Sequence, residues 1–433
     1  MKIEFVNHSS FILDEGPVRV MCDPWLEGPV FNTGWQLLSK TQFGYEDFKN
    51  ITHIWFSHEH PDHFHPPTLK KIPSDIRTHI TILFQESIDK RVVHFCRQLG
   101  FKKIIELKEG QWLPLSDDLK ILCEPHYEGN SWILFVSKGV SIFNANDCGI
   151  RDRRDAAGIK EKLGDVDILL TQFSYAYWVG NREDAAFRRY KADEKLQGLK
   201  FQCDIFRPKV TIPIASFVWF CHEENHYMND SVNTAERTYN FIKEHTSSEP
   251  VILYVGDTYE FGGVHDSRKA IQKYDKDYQQ ILHSPELIKS PNGASQETLG
   301  VLIETANCFI DQLKQSYGPF ARFLRPAKIH LMDYDAAFTL SIRSGFKKST
   351  VPYDRCDVSL SSDSLLYCFK FPWGQNTLGV NGRYQKPRHG RYSNFYNFFR
   401  FDELKSRGYE MTVGYLISIL LRKMRVRLGL QKV

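Results

Sequence analysis

The sequence predicts an α/β protein of stacked sheet and helix layers, with an α+β region appended towards its C-terminal end. Up to residue 270, short runs rich in β-branched and aromatic residues recur between helical stretches. Beyond that point, longer helical stretches precede a second group of strand-like runs. We therefore divide the chain into a first domain, residues 1–270, and a C-terminal region, residues 271–433.

The predicted elements of the first domain follow from local patterns. Two β-type runs flank a turn at Gly16–Pro17, and the more apolar run at 51–57, ITHIWFS, is expected to be a buried strand. Helices are predicted in PPTLKKIP, in ESIDKRVVHFCRQLG with Gly100 as its C-cap, and in the charged stretch 181–206. The remaining strands are predicted in KIIEL, LKILCEPH, WILFVSKG, VSIFNAND, VDILLTQF, KVTIPIAS and VILYVGD.

Composition excludes few functions. The formal net charge is +4 and no dense Lys/Arg block occurs, so we expect no nucleic-acid partner. The nine cysteines include no C-x-x-C pair, and the N-terminal residues lack the apolar core of a signal peptide, so we expect a cytoplasmic chain with reduced thiols. No apolar stretch is long enough to predict a membrane-spanning helix.

A dense group of metal-binding residue types follows the buried strand. The motif is H-x-H-x-D-H, formed by His58, His60, Asp62 and His63. Side chains alternate along an extended segment, so His58 and His60 point the same way, and the turn that follows can present Asp62 and His63 to a neighbouring point. Imidazole and carboxylate ligands suit Zn²⁺ or Fe²⁺, and the spacing predicts two adjacent metal ions.

Two further candidates stand at predicted strand ends. His126 ends the run LKILCEPH, and Asp147 ends the run VSIFNAND. Strand ends bring side chains to a common edge of a sheet, so these residues are expected to join the motif.

In this order, the residues resemble the pattern of the metallo-β-lactamase superfamily over roughly residues 1–260. The segments SHEHPDHFHPPTLKKI, FNANDC and PKVTIPIASFVWFCHEENHYMND further resemble the metallo-β-lactamase-like domain of the CMP-N-acetylneuraminate hydroxylases. The resemblance implies an αββα sandwich as the metal-binding catalytic domain. It also implies two divalent metal ions, zinc or iron.

The resemblance assigns a role to each candidate. Asp62 and Asp147 would be the catalytic carboxylates, and Asp23 would orient a ligand histidine from behind, or would simply belong to the turn before Pro24. The implied metal ligands are His58, His60 and His126 for one ion, Asp62 and His63 for the other, and Asp147 bridging both.

The sequence leaves the identity of the last metal ligand open. The superfamily usually has a histidine soon after a strand like KVTIP, where this chain has Ile214 and Ala215. His222 fits the hydroxylase-like pattern better than His226, and Asp257 could rival Asp147 as the bridging carboxylate.

The predicted chemistry is hydrolysis of a small anionic or sugar-like substrate. A paired metal site lowers the pKa of bound water from about 15.7 towards ~7, which makes hydroxide available at neutral pH. The alternative is a di-iron oxygenase like the CMP-N-acetylneuraminate hydroxylases. That family also carries a Rieske domain, whose centre needs a Cys-x-His pair that this sequence lacks, so electrons would come from a separate donor. A third hypothesis is that the chain is a non-catalytic ligand- or partner-binding protein.

Substrate-binding and partner candidates have weaker signals. Tyr175, Tyr177 and Trp178 follow a predicted strand end, where they either line a substrate mouth or pack inside. Arg383 and Arg388, in a basic loop, either meet an anionic group of the substrate or are simply solvated. The tail 411–433 has an apolar face and a basic end, so it is expected to touch an anionic membrane surface or a protein partner, or to pack on its own domain.

Overall fold

The computed structural model describes residues 1–290 and 296–406, and these fall into two compact units, Met1–Ser290 and Pro291–Val433. The predicted tail 411–433 lies outside the described residues. The first unit extends beyond the predicted limit at residue 270 because the helix Ser267–Leu282 buries Ala270, Ile271 and Tyr274 in the core of that unit.

The first unit contains two seven-stranded sheets and one small two-stranded sheet. Its strands are β1 Lys2–Asn7, β2 Ser10–Glu15, β3 Val18–Cys22, β4 Trp35–Leu37, β5 His53–Phe56, β6 Thr81–Gln85, β7 Lys103–Leu107, β8 Trp112–Pro114, β9 Leu119–Pro125, β10 Ser131–Ser137, β11 Val140–Asn146, β12 Ile168–Gln172, β13 Val210–Ile214, β14 Val218–Phe220, β15 Glu249–Pro250 and β16 Thr258–Glu260. Its α-helices are α1 Pro66–Lys71, α2 Ser74–Arg77, α3 Arg91–Gln98, α4 Arg153–Leu163, α5 Ala185–Phe206, α6 Ala235–His245 and α7 Ser267–Leu282.

Both large sheets are mixed. The first has the order β16-β1-β2-β3-β5-β6-β7, and the second has the order β15-β13-β12-β11-β10-β9-β8. Consecutive hairpins make β1–β3 and β8–β11 antiparallel, whereas β3, β5, β6 and β7 run parallel, as do β11, β12, β13 and β15. The parallel strands are separated by helical crossovers, as such connections require.

Side-chain alternation explains the layers. Trp55 of β5 faces the core shared by the two sheets, whereas its neighbours Ile54 and Phe56 face a second core beneath α1–α3. Helices α4–α7 bury apolar residues in the shared core, and α5 and α6 contact β12 and β13 of the second sheet. The predicted α/β class with an αββα sandwich is therefore confirmed.

One predicted strand is wrong. VILYVGD forms no ladder beyond the short β15, although Val251–Val255 are buried. This segment crosses from one sheet to the other: Val251 donates to the carbonyl of Thr211 on β13, and Gly256 donates to that of Phe5 on β1. A chain that changes sheets over so few residues cannot pair along either of them.

The second unit confirms the predicted C-terminal α+β region. Five strands have the order β19-β18-β17-β20-β21. Its elements are α8 Gln296–Tyr317, β17 Ala327–Leu331, β18 Ala336–Ser341, β19 Gly345–Ser349, β20 Val358–Leu360, α9 Ser362–Lys370, α10 Gly374–Asn381, β21 Tyr384–Gln385 and α11 Tyr392–Ser406. Across both units, no described helix is both long enough and apolar enough to cross a membrane.

Candidate metal centre

The H-x-H-x-D-H motif lies in the turn between β5 and α1. Phe56 ends the strand, and the ring of His65 caps the following helix by accepting a hydrogen bond from the backbone N–H of Thr68. Strands of both large sheets end at the same edge of the sandwich, where β3 of the first sheet leads to Asp23 and β11 of the second sheet leads to Asp147. The buried strands therefore deliver polar side chains from distant parts of the chain to one point.

Most of the predicted ligands come together there. The ligand atoms form two groups, His58, His63 and Asp147 in one and His8, Asp62 and His63 in the other, and within each group they lie within 4.8 Å of one another. Nε2 of His63 is 3.2 Å from Oδ2 of Asp62 and 3.3 Å from Oδ2 of Asp147. His60 joins the first group through His58, because Nδ1 of His60 lies 3.0 Å from Nε2 of His58.

Asp23 supports the centre from behind. Its Oδ2 lies 2.9 Å from Nδ1 of His63, and it accepts hydrogen bonds from the hydroxyl of Ser57 and from the side-chain amide of Asn146. Its Oδ1 accepts from the backbone N–H of Ser57. These bonds fix the His63 ring so that Nε2 faces Asp62 and Asp147.

The electrostatics of the centre favour a cation. Burial alone would lower the pKa of His63, but the carboxylates of Asp62, Asp147 and Asp23 outweigh burial and hold that pKa well above its usual range. Burial would likewise raise the pKa of Asp62, but the neighbouring His63 holds it well below its usual range. Burial lowers the pKa of His60, which favours the neutral imidazole that binds metals.

The residues fit a metal ion by a further criterion. Oδ1 of Asp62 is buried and has no hydrogen-bond partner among the described residues, and the buried Nε2 of His63 faces the carboxylate oxygens of Asp62 and Asp147. Leaving such atoms unsatisfied costs about 1–3 kcal/mol each, and more for charged groups, so a native protein generally supplies them with a partner. A divalent ion with nitrogen and oxygen ligands would satisfy both atoms.

His126 lies outside these groups. Its Nε2 is 3.0 Å from Oδ2 of Asp155 on α4. The hairpin that carries His126 is held beside the motif, because the hydroxyl of Ser131 on β10 donates to the carbonyl of Ser57. Its role as a metal ligand stays a prediction.

The three candidates for the last ligand are also separate from both groups. His222 is buried in the loop after β14, where its Nδ1 accepts a hydrogen bond from the backbone N–H of Glu224. The His226 ring contacts Trp219. Asp257 accepts from the backbone N–H of Tyr254 and from the ammonium group of Lys273, so it closes the turn into β16.

The aromatic candidates divide into packed and accessible residues. Tyr175 is buried, and its hydroxyl donates to the carbonyl of Met228, so this side chain packs inside the protein. Tyr177 and Trp178 are half-buried. In the second unit, Arg383 is fully buried and pairs with Asp363 at 3.0 Å, whereas Arg388 is exposed.

Three further residues lie at this edge of the sandwich and were not predicted from the sequence. His8, in the tight turn between β1 and β2, has Nε2 3.3 Å from Oδ2 of Asp62. Gln172, at the end of β12, donates from Nε2 to Oδ1 of Asp147. Lys195 on α5 donates in turn to Oε1 of Gln172. The only available sequence signal was the position of Gln172 at a predicted strand end.

Comparison with protein families identifies the fold. Residues 2–187 match the model described as "Beta-lactamase superfamily domain". This segment of the first unit therefore matches the superfamily that the motif resembles. The predicted resemblance is therefore confirmed, and the matched segment contains all six predicted ligands other than the open last one.

The narrower sequence similarity is also found. The chain is 24% identical over 239 residues to the cytidine monophosphate-N-acetylneuraminic acid hydroxylase of Danio rerio, which covers 53% of this chain and 40% of that protein. This chain therefore aligns with about two-fifths of the length of that relative. The corresponding hydroxylase of Xenopus laevis is 30% identical over 154 residues, covering 34% of this chain and 26% of that protein.

Among solved structures, CmlA, a diiron β-hydroxylase from Streptomyces venezuelae, matches with a TM-score of 0.42 and 16% identity, covering 60% of this chain and 54% of that one.

The chain departs from the superfamily pattern after β13. Ala215 occupies the place where the resemblance leads one to expect a histidine, and it adopts a left-handed backbone conformation with φ of 55°. Its N–H donates to the carbonyl of His8, and its carbonyl accepts from Nε2 of Gln172. The backbone at that position thus holds two neighbours of the centre, His8 and Gln172.

Proposed function

We propose that this chain is a dinuclear metal-dependent hydrolase that acts on a small anionic or sugar-like substrate. The observation that carries the proposal is the convergence of His58, Asp62, His63 and Asp147 at one edge of the sandwich, where Oδ1 of Asp62 is buried and lacks a hydrogen-bond partner among the described residues. Two ions held there would lower the pKa of a bound water from about 15.7 towards ~7, which supplies a nucleophile for hydrolysis at neutral pH.

The protein's own contribution is orientation. Asp23 holds Nδ1 of His63 and Gln172 holds Oδ1 of Asp147, so the other ring nitrogen and the other carboxylate oxygen of these proposed ligands face the centre. Replacing a residue that hydrogen-bonds to a metal ligand typically lowers metal affinity or activity about 10–100-fold. The position of His8 beside Asp62 adds a third such support.

Metal content and turnover test the proposal. We expect purified protein to bind two divalent ions, and the His60→Ala, Asp62→Ala double variant to lose both metal and hydrolysis of a panel of phosphoester, ester and amide substrates. The exposed His79→Ala variant is the control for general effects of losing a histidine, and it should keep both properties. Full metal occupancy in the folded double variant would refute the assignment.

Oxygenation is the second candidate, and it is favoured by the sequence relatives named as hydroxylases. Because the chain aligns with less than half of their length, their activity is a proposal for this chain. These 433 residues include no Cys-x-His pair for a Rieske centre, so electrons for an oxygenase of this kind would come from outside them. Zinc with turnover that persists without O₂ supports hydrolysis, whereas iron with an O₂-dependent product supports oxygenation.

A further inference from the structure

Lys195 is a half-buried cation beside the candidate metal centre. It lies on α5, donates a hydrogen bond to Oε1 of Gln172, and has its Nζ 5.8 Å from the centre of the Tyr177 ring. None of these partners carries a negative charge.

The amide of Gln172 fixes where this cation lies. Its Nε2 faces two acceptors, Oδ1 of Asp147 at 3.2 Å and the carbonyl of Ala215 at 3.3 Å. The amide oxygen must therefore face Lys195, because the opposite assignment would set carbonyl against carboxylate. Gln172 thus links the ammonium group of Lys195 to a predicted metal ligand through a single side chain.

Unlike Lys195, two neighbouring cations are paired with a carboxylate. Arg151 pairs with Glu194 at 2.5 Å, and Lys191 pairs with the same carboxylate at 2.7 Å. Over residues 1–290 and 296–406, Lys195 has no ion-pair partner. A partly desolvated ammonium without a counter-ion is costly to keep, so its natural complement is an anion brought in from solution.

We propose that Lys195 receives an oxyanion of the substrate, a carboxylate or a phosphate, next to the reacting group. The inference rests on the proposed function for the reaction itself, and it adds the substrate class: a molecule whose anionic group lies close to the bond that is cleaved. Gln172 is the positioning residue, since it holds the ammonium in place, and the half-buried Tyr177 ring flanks the same position.

Anion binding by the metal-loaded protein tests this role. Calorimetric titration with inorganic phosphate and, separately, with acetate should give dissociation constants that rise at least about 10-fold in Lys195→Gln, as expected for losing a charge-assisted hydrogen bond. Lys195→Arg keeps the charge and should stay within about 3-fold of wild type for at least one anion. Lys191→Gln is the matched control from the same helix, and it should bind like wild type because its charge is already paired.

The outcomes separate the two proposals. Dependence of phosphate binding on Lys195 indicates a phosphate-bearing substrate, and dependence of acetate binding indicates a carboxylate. If Lys195→Gln keeps its metal and binds both anions like wild type, the role of Lys195 is overturned, whatever reaction the protein catalyses. If anion binding depends on Lys195 but no substrate is hydrolysed, the anion site stands and the hydrolase proposal fails.

Discussion

Oδ2 of Asp23 lies 2.9 Å from Nδ1 of His63, and both side chains are fully buried. The carboxylate also accepts from the backbone N–H and the hydroxyl of Ser57 and from the side-chain amide of Asn146. In Asp23→Asn, an NH₂ group would face one of these donors. We expect metal affinity to fall about 10–100-fold while the fold is kept, because the ligand histidine loses its orientation.

Competition against a coloured chelator measures this loss. Asp75→Asn changes an exposed aspartate on α2 and should bind metal like wild type. Equal affinity of Asp23→Asn and wild type would show that the bond to His63 is not needed for metal binding.

His126 provides a second prediction. Nε2 of this residue is held by Asp155, which leaves Nδ1 for a metal, and a ligand histidine generally gives its other ring nitrogen to a carboxylate or carbonyl. We expect His126→Ala to bind one metal ion fewer per chain than wild type, as elemental analysis after gel filtration would show. Asp155→Ala should keep both ions at saturation but bind them more weakly. Unchanged stoichiometry in His126→Ala would remove this residue from the ligand set.

The turn that carries the motif was predicted from local patterns, whereas Asp147 was predicted from a strand end and Asp23 from the family resemblance. The apolar run before His58 indicated a buried strand, and period-two alternation with a following turn indicated that His58, His60, Asp62 and His63 converge. Both inferences depend on neighbours in the chain, and the structure agrees with them in placing these residues in one turn after β5.

The parts of the centre that the sequence did not predict depend on contacts between distant segments. Gln172 and Lys195 are 23 positions apart, and His8 and Asp62 are 54 positions apart, so only the completed sheets and α5 bring them together. The backbone is also unusual there, since His8, Asp23, Asn146 and Ala215 all have φ near +50°. Such conformations cost about 1–3 kcal/mol each in non-glycine residues, and surrounding structure rather than local propensity maintains them.

Stability should depend on pH through His53. Burial, assisted by the charge of Lys103, lowers the pKa of His53 from 6.5 to about 4. The folded state therefore binds fewer protons than the unfolded state between these values, so the contribution of neutral His53 is present above pH 6.5 and is lost as the pH falls towards 4. The free energy of unfolding of wild type, measured by urea titration with a chelator present, should approach that of His53→Gln as the pH is lowered from 7 to 4.5.

The exposed His79→Gln variant controls for general acid effects and should follow wild type at every pH. A constant difference between wild type and His53→Gln over this range would contradict the assigned pKa shift.

The thiols give a prediction about reactivity. All nine cysteines are unpaired, and Cys308 on α8 is the exposed one. Burial raises the pKa of thiols such as Cys22 and Cys148 and so suppresses the reactive thiolate. A thiol reagent should therefore titrate one group rapidly in the native protein and nine after denaturation, and Cys308→Ser should abolish the rapid phase. A rapid phase that survives in Cys308→Ser would show that a buried cysteine becomes accessible.

Gly390 tests the packing of the second unit. A Cβ atom at this position would lie 1.8 Å from the carbonyl oxygen of Cys356 and 2.9 Å from the Cα of Asp357. Both contacts are with backbone, so no side chain can rotate away, and the loop before α11 must move. Overpacking costs about 1–3 kcal/mol where side chains adjust, and we expect Gly390→Ala to lie at or above the upper end of that range.

Gly379 is the matched control within the same unit. It lies on α10, where an added Cβ meets nothing within 4 Å, so Gly379→Ala should be neutral or stabilising by about 0.5–1 kcal/mol through helix propensity. Thermal unfolding of the full chain, with limited proteolysis to locate the first cleavage, compares the two variants. We expect early cleavage within residues 296–406 for Gly390→Ala alone, because the steric conflict and not the loss of glycine itself opens the unit. Equal melting temperatures for the two variants would show that the loop before α11 moves without loss of stability.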